Sequence, residues 1–153
     1  MSKSDHANRA ASAVPDIVIP EVAKAAIRAD GERAYPGECC GLLVGTVTPS
    51  GYAVVRAERC TNLREGEADD RFELDPKDYL AVDKRARAEG LEVIGIYHSH
   101  PDHAPRPSRF DAQAAFPGYA YVIVAVRSKV AAGMRSWLLD DQGAFREQRI
   151  RPS

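Results

Sequence analysis

Residues 91–111 read LEVIGIYHSHPDHAPRPSRFD, and three kinds of segment follow one another in them. Leu91 to Tyr97 is a short apolar run preceded by Gly90, which predicts a strand leading straight into His98-Ser99-His100-Pro101. Prolines at 101, 105 and 107 make the next stretch a loop. Ser108 to Phe116 reads as a helix, opened by the capping pattern of Ser108 with Asp111 and stopped by Pro117-Gly118. Tyr119 to Val126 (YAYVIVAV) is an unbroken apolar run and predicts a central strand covered on both faces. Strand, loop, helix and buried strand in this order imply a mixed α/β domain.

The flanking sequence extends that layout. Ile17 to about Ala34 is read as a helix opening at Pro20-Glu21, with Val22, Ala25, Ala26 and Ile27 at helical spacing. Glu38 to Gly45 (ECCGLLVG) suits a buried strand, and Pro49-Ser50-Gly51 turns it into a returning strand from Tyr52 to Arg59. Thr61 to Arg71 is charged and reads as a loop. A second helix starts at Asp75-Pro76, buries Tyr79, Val82 and Ala86, and ends at Gly90. Met134 to Leu139 and Phe145 to Ile150 form a closing hairpin around Asp140-Asp141-Gln142-Gly143.

At 153 residues the chain is sized for one domain, residues 16–153, preceded by a polar lead-in at 1–15 that is read as disordered. Its 21 basic and 22 acidic residues leave a formal charge of -1, so no basic field exists for nucleic acid. No apolar run reaches membrane-spanning length, and residues 1–15 lack a secretory signal's apolar stretch, so the expected compartment is the cytoplasm. Three cysteines, Cys39, Cys40 and Cys60, are an odd count and read as reduced thiols. Cys40 reads as a small packing residue, while Cys39 is open to a reactive-thiol or metal-binding role.

His98 and His100 stand two apart at a strand end, so alternation sends both imidazoles to one face. Asp111, eleven residues beyond His100 and on the first turn of the next helix, can bring a carboxylate beside them. Two histidines and one carboxylate form a recurrent catalytic zinc set with a fourth position left for water. Each part has a plainer reading. A lone His-x-His is more often two polar residues at a strand end, and Ser108 to Asp111 alone is a capping box. Jointly, His-x-His, seven residues, Ser, two residues, Asp arises by chance on the order of once in a few thousand. Asp102 and His103 fall inside that spacing and read as solvated loop residues.

At these residues the chain resembles the JAMM (MPN+) metallopeptidases. His98-Ser99-His100-Pro101 through Ser108 and Asp111 has that family's signature spacing, and Glu38-Cys39-Cys40-Gly41-Leu42-Leu43 resembles its Glu-x-Cys-Gly segment. The likeness runs from Ile17 to Arg149. It implies an MPN domain, a mixed sheet flanked by helices in a cytidine-deaminase-like architecture, holding one zinc ion per chain. His98, His100 and Asp111 would bind the metal, Glu38 would be the general base, and Ser108 would be a polar partner of the oxyanion. A nucleoside deaminase is a different case: it needs His-x-Glu with Pro-Cys-x-x-Cys, and no such pair occurs.

For a substrate, the resemblance points to the short bacterial members, which trim small ubiquitin-like sulfur carriers of the ThiS/MoaD type behind a C-terminal Gly-Gly. Asn62 is open to holding such a tail. An isopeptidase acting on ubiquitin-like conjugates and a non-catalytic MPN binding module are the alternatives.

Overall fold

In the computed structural model, residues 14–64, 71–109, 111 and 115–153 are described. The elements in chain order are β1 (Ile17–Val18), α1 (Glu21–Ala34), β2 (Cys40–Thr48), β3 (Gly51–Cys60) and α2 (Pro76–Ala88). They continue with β4 (Glu92–Pro101), β5 (Ala120–Arg127), β6 (Val130–Leu139), β7 (Phe145–Gln148) and β8 (Ile150–Arg151). The strands form one sheet in the order β7-β6-β5-β4-β2-β3-β1-β8. It is mixed: β4 with β5, β1 with β3 and β1 with β8 are parallel, and the other pairs are antiparallel. The two ends of that order, β7 and β8, are separated in the chain by Arg149 alone, so the sheet curls until its edges meet there. Two hydrogen bonds fasten the meeting point: Ile17 N–H donates to the Arg149 carbonyl (2.9 Å), and Gln148 Nε2 to the Pro15 carbonyl (2.9 Å).

A helix covers each face. Ala23, Ile27, Gly31 and Ala34 give α1 its buried stripe, which meets Cys39, Leu43, Tyr97, Val122 and Val124. At Gly31 the helix lies close against β5: an added Cβ would stand 3.0 Å from Val126 and 3.2 Å from Val124. On the opposite face, Val82 and Ala86 of α2 pack with Cys40, Leu42, Val44, Cys60 and Val93. Asp75 caps α2, its carboxylate accepting from Lys77 N–H at 2.9 Å, and Pro76 opens the first turn. No helix among the described residues is long and apolar enough to cross a membrane.

Several boundaries differ from the sequence reading for identifiable reasons. Ile17 and Val18 belong to a strand rather than to the first helix, because a fully buried Ile17 is held between β3 and β8. Two residues are too few to show a period of two. The final strand is interrupted at Arg149, and its halves serve opposite edges of the sheet. β6 begins at Val130 rather than Met134, because Ser128 and Lys129 make its turn at positive φ (48° and 73°) without the glycine or asparagine that signals one. β4 runs on through His98 and His100 to Pro101. Of the helix read from Ser108 to Phe116, Arg109 and Asp111 are helical, Ala115 and Phe116 are not, and 110 and 112–114 lie outside the described residues. Residues 1–13 of the lead-in and 65–70 of the charged loop also lie outside them.

The glycines of β2 have distinct tasks. Gly41 leaves room for the Tyr97 ring, whose Cε2 would stand 2.1 Å from an added Cβ. At Gly45 the β2–β3 register shifts, and an added Cβ would meet the Ala53 carbonyl oxygen at 1.9 Å. A backbone obstacle cannot rotate away, so Gly45→Ala is expected to cost about 3 kcal/mol and lower Tm by about 10 °C. Calorimetry checks this, and an unchanged Tm would contradict it.

Candidate metal centre

The bulge at Leu43/Val44 in the β2–β4 pairing sets the facing of the strand that carries the histidines. Beyond it Tyr97 points to the α1 side, while His98 and His100 point to the α2 side. The chain then loops back through Ser108, whose capping box aims Asp111 at the rings. Ser108 N–H donates to Asp111 Oδ2 at 2.7 Å, and Asp111 N–H donates to Ser108 Oγ at 3.1 Å.

Three ligand-type atoms converge as a result. His98 Nε2 lies 3.2 Å from His100 Nε2 and 3.2 Å from Asp111 Oδ1, and His100 Nε2 lies 3.3 Å from Asp111 Oδ2. All three residues are buried, and among the described residues this is the group of His, Cys, Asp and Glu that could hold a metal ion. The donor set fits zinc. His100 Nδ1–H donates to the Ala104 carbonyl at 2.9 Å, which fixes the tautomer and leaves the Nε2 lone pair facing the cluster. His98 is oriented differently: its ring stacks on Phe72 with centroids 4.6 Å apart, and its Nδ1 meets no hydrogen-bond partner among the described residues.

Burial lowers the pKa of His98, keeping the ring neutral. Burial alone would raise that of Asp111, but the contacts with the His100 and His98 rings and the Ser108 N–H outweigh it and hold the carboxyl far below its ordinary range. For His100, burial pulls downward, yet the Asp111 contact, the Ala104 carbonyl and the charges of Asp111 and Glu38 leave the ring above its ordinary value. A neutral imidazole and an ionised carboxylate are the forms in which these side chains bind a metal, and the shifts of His98 and Asp111 run towards those forms while that of His100 runs against it.

Glu38 comes to the same place from the residues just before β2. Cys40 is the register partner of His98, and Ser99 N–H reaches the Cys39 carbonyl at 3.3 Å. One step further along this antiparallel pair, Glu38 falls opposite His100, and alternation gives it the facing of the two imidazoles. Its buried position and its charge effect on His100 agree with that placement. Asn62 is turned inward: Nδ2 donates to the Glu38 carbonyl at 2.9 Å, while Oδ1 accepts from Arg64 N–H at 3.0 Å and Glu73 N–H at 2.9 Å.

Other contributions went unread in the sequence. Phe72 carries one signal, being the single aromatic residue between 61 and 73. The loop after β4 is tied down at several points that no motif announces. Trp137 Nε1 donates to the Pro105 carbonyl at 3.0 Å. Asp102, at φ 57°, accepts from Tyr35 Oη at 2.6 Å and from Ser128 N–H at 3.1 Å. Asp102 is therefore a fastening of the loop rather than merely a solvated residue, while His103 is exposed.

The thiols stand apart from this chemistry. Cys39 faces α1, on the side of the sheet away from His98 and His100, so it supplies no ligand to them. Burial, helped by the charge of Asp30, pushes its thiol up to about 12. Burial and the charge of Asp78 push Cys60 up to about 12 as well, and burial raises Cys40 further. At pH 8 a thiol of pKa 12 is ionised in about one molecule in 10⁴, so iodoacetamide is expected to label none of the three in the folded protein and all three after denaturation. Intact mass reads the result, and rapid labelling of the native chain would contradict it.

A curled mixed sheet between two helices, carrying two imidazoles and a carboxylate at the end of a central strand, is the layout of a JAMM-type domain. The chain belongs to the prokaryotic homologs of the JAB domain, a family that matches residues 20–140. It is 33% identical over 113 residues to a desampylase of Haloferax volcanii, covering 73% of this chain and 76% of that protein. It is 35% identical over 128 residues to a CysO-cysteine peptidase of Mycobacterium tuberculosis, covering 82% and 83%. Among solved structures, a Salinibacter ruber protein matches with a TM-score of 0.69 at 42% identity, covering 89% of this chain and 90% of that one. These relationships support a hydrolase of the JAMM type.

Proposed function

We propose that the chain is a zinc-dependent peptidase. It hydrolyses the amide bond after the C-terminal Gly-Gly of a small ubiquitin-like sulfur carrier of the ThiS/MoaD type, freeing that end for thiocarboxylation in the cytoplasm. The observation that carries this reading is the convergence of His98, His100 and Asp111 on one point, and the charge that Glu38, just before β2, brings to bear on His100 agrees with it. The relationship to a protein named CysO-cysteine peptidase supports it. The intact ligand set weighs against a non-catalytic module.

His98, His100 and Asp111 would hold the ion, which supplies Lewis acidity and lowers the pKa of a bound water towards neutrality. Glu38 takes the proton of the attacking water on its carboxylate and delivers it to the departing amine. Ser108 uses its oxygen to accept from Asp111 N–H, so its hydroxyl hydrogen remains available to donate to the developing oxyanion. Phe72, stacked on His98, keeps bulk water from that side of the site. The tail would enter extended, glycine allowing its backbone to approach closely.

A second reading, an isopeptidase on ubiquitin-like conjugates, is favoured by the relationship to a protein named desampylase. We favour linear carriers because only residues 112–119 separate Asp111 from β5, leaving little chain to grip a second folded protein. Competition between a carrier extended past Gly-Gly and the same carrier linked to a lysine side chain tests this. A kcat/KM at least about tenfold higher for the linear extension is expected; the reverse order would establish the isopeptidase instead.

A further inference from the structure

We propose that Asn62 and Ser99 clamp the peptide unit joining Glu38 to Cys39 and so set the direction of the Glu38 carboxylate. The role is one of positioning, and it rests on the reading of Glu38 as general base. β2 begins at Cys40, so this peptide lies just before the strand. Both of its polar groups are taken by side chains. The Glu38 carbonyl accepts from Asn62 Nδ2 at 2.9 Å, and Cys39 N–H donates to Ser99 Oγ at 2.8 Å. Glu38, Cys39, Asn62 and Ser99 are all buried, so each partner is needed to satisfy a peptide group removed from water.

The two arms come from different strands. Ser99 sits on β4 between the two imidazoles, turned to the opposite face, so the Cys39 end of the peptide is referred to the strand carrying His98 and His100. Asn62 follows β3 and is itself immobilised, because its Oδ1 holds the N–H groups of Arg64 and Glu73. The base of that loop is closed by Leu63 N–H to the Glu73 carbonyl (2.8 Å) and Asp75 N–H to the Thr61 carbonyl (3.0 Å). Rotating the amide of Asn62 would therefore break three contacts at once. A base displaced by about 1 Å loses on the order of 10²-fold in rate, so the clamp governs turnover without touching substrate.

Asn62→Asp separates this role from simple loop closure. It keeps the acceptor side toward Arg64 and Glu73 and sets a carboxylate oxygen against the Glu38 carbonyl. Its kcat on an extended carrier is expected to fall about 10- to 100-fold, with KM and bound zinc within about twofold of the parent. Ser99→Ala should fall similarly, and Ser99→Thr, which keeps the hydroxyl, should recover. Placed on Glu38→Gln, Asn62→Asp should cause no further loss. The ¹³C resonance of the Glu38 carboxyl, read without turnover, should move in Asn62→Asp and in Ser99→Ala. A parent protein that cleaves no amide would sink the proposed function, and the resonance would then decide the clamp by itself. An unmoved resonance, an unchanged kcat in an active protein, a loss confined to KM as for a tail-holding residue, or an equal loss on Glu38→Gln would each overturn it.

Discussion

Glu38→Gln is expected to lower kcat about 10³-fold while the protein keeps one equivalent of zinc. Glutamine preserves the size of the side chain and most of its packing but cannot accept the proton of the attacking water. Glu38 belongs to none of the three contacts that join His98, His100 and Asp111, so its loss leaves the ligand set standing. Zinc content by mass spectrometry and kcat on an extended carrier give the two readouts together. Turnover within about tenfold of the parent would assign the base elsewhere. Loss of the metal would make Glu38 part of the ligand set instead.

The second large effect is on the metal itself. Asp111→Ala removes the anionic member of the cluster and, with it, the acceptor for Ser108 N–H. Two imidazoles then remain with no carboxylate between them. Zinc affinity is expected to fall about 10³-fold, and activity at low metal concentration should vanish with it. The curled sheet and both helices do not depend on this side chain, so the far-ultraviolet circular dichroism should be preserved. Competition with a chromogenic chelator measures the affinity, and a variant binding zinc as tightly as the parent would remove Asp111 from the site.

These residues are legible in the sequence because their geometry is local. His98 and His100 share a face because they are two apart in a strand, and Asp111 is aimed by a capping box that begins three residues earlier. Spacing of that kind survives as a pattern in the sequence. The two helices were legible from apolar spacing that extends over many residues, and the long buried strands from unbroken apolar runs bounded by turn residues. The placement of Glu38 was not legible from spacing, because it depends on the antiparallel register of β2 with β4 across sixty residues. Only its resemblance to a known segment marked it.

The features that escaped are those decided by tertiary pairing. β1 and β8 are two residues each and exist because the sheet curls until its edges meet at Arg149. The turn at Ser128-Lys129 adopts positive φ without the usual residues. Phe72 lies on His98 because the loop after β3 is closed through Asn62, a side chain whose partners are up to 24 residues away.

Amide hydrolysis at a metal site built from His98, His100 and Asp111 can be read by intact mass. A ThiS/MoaD-like carrier extended past Gly-Gly by one or two residues is incubated with the protein, beside a chelator-treated sample and Glu38→Ala. A mass loss equal to the extension is expected with the parent protein and none in either control. Loss of the extension in the presence of chelator, or with Glu38→Ala at the parent rate, would contradict it.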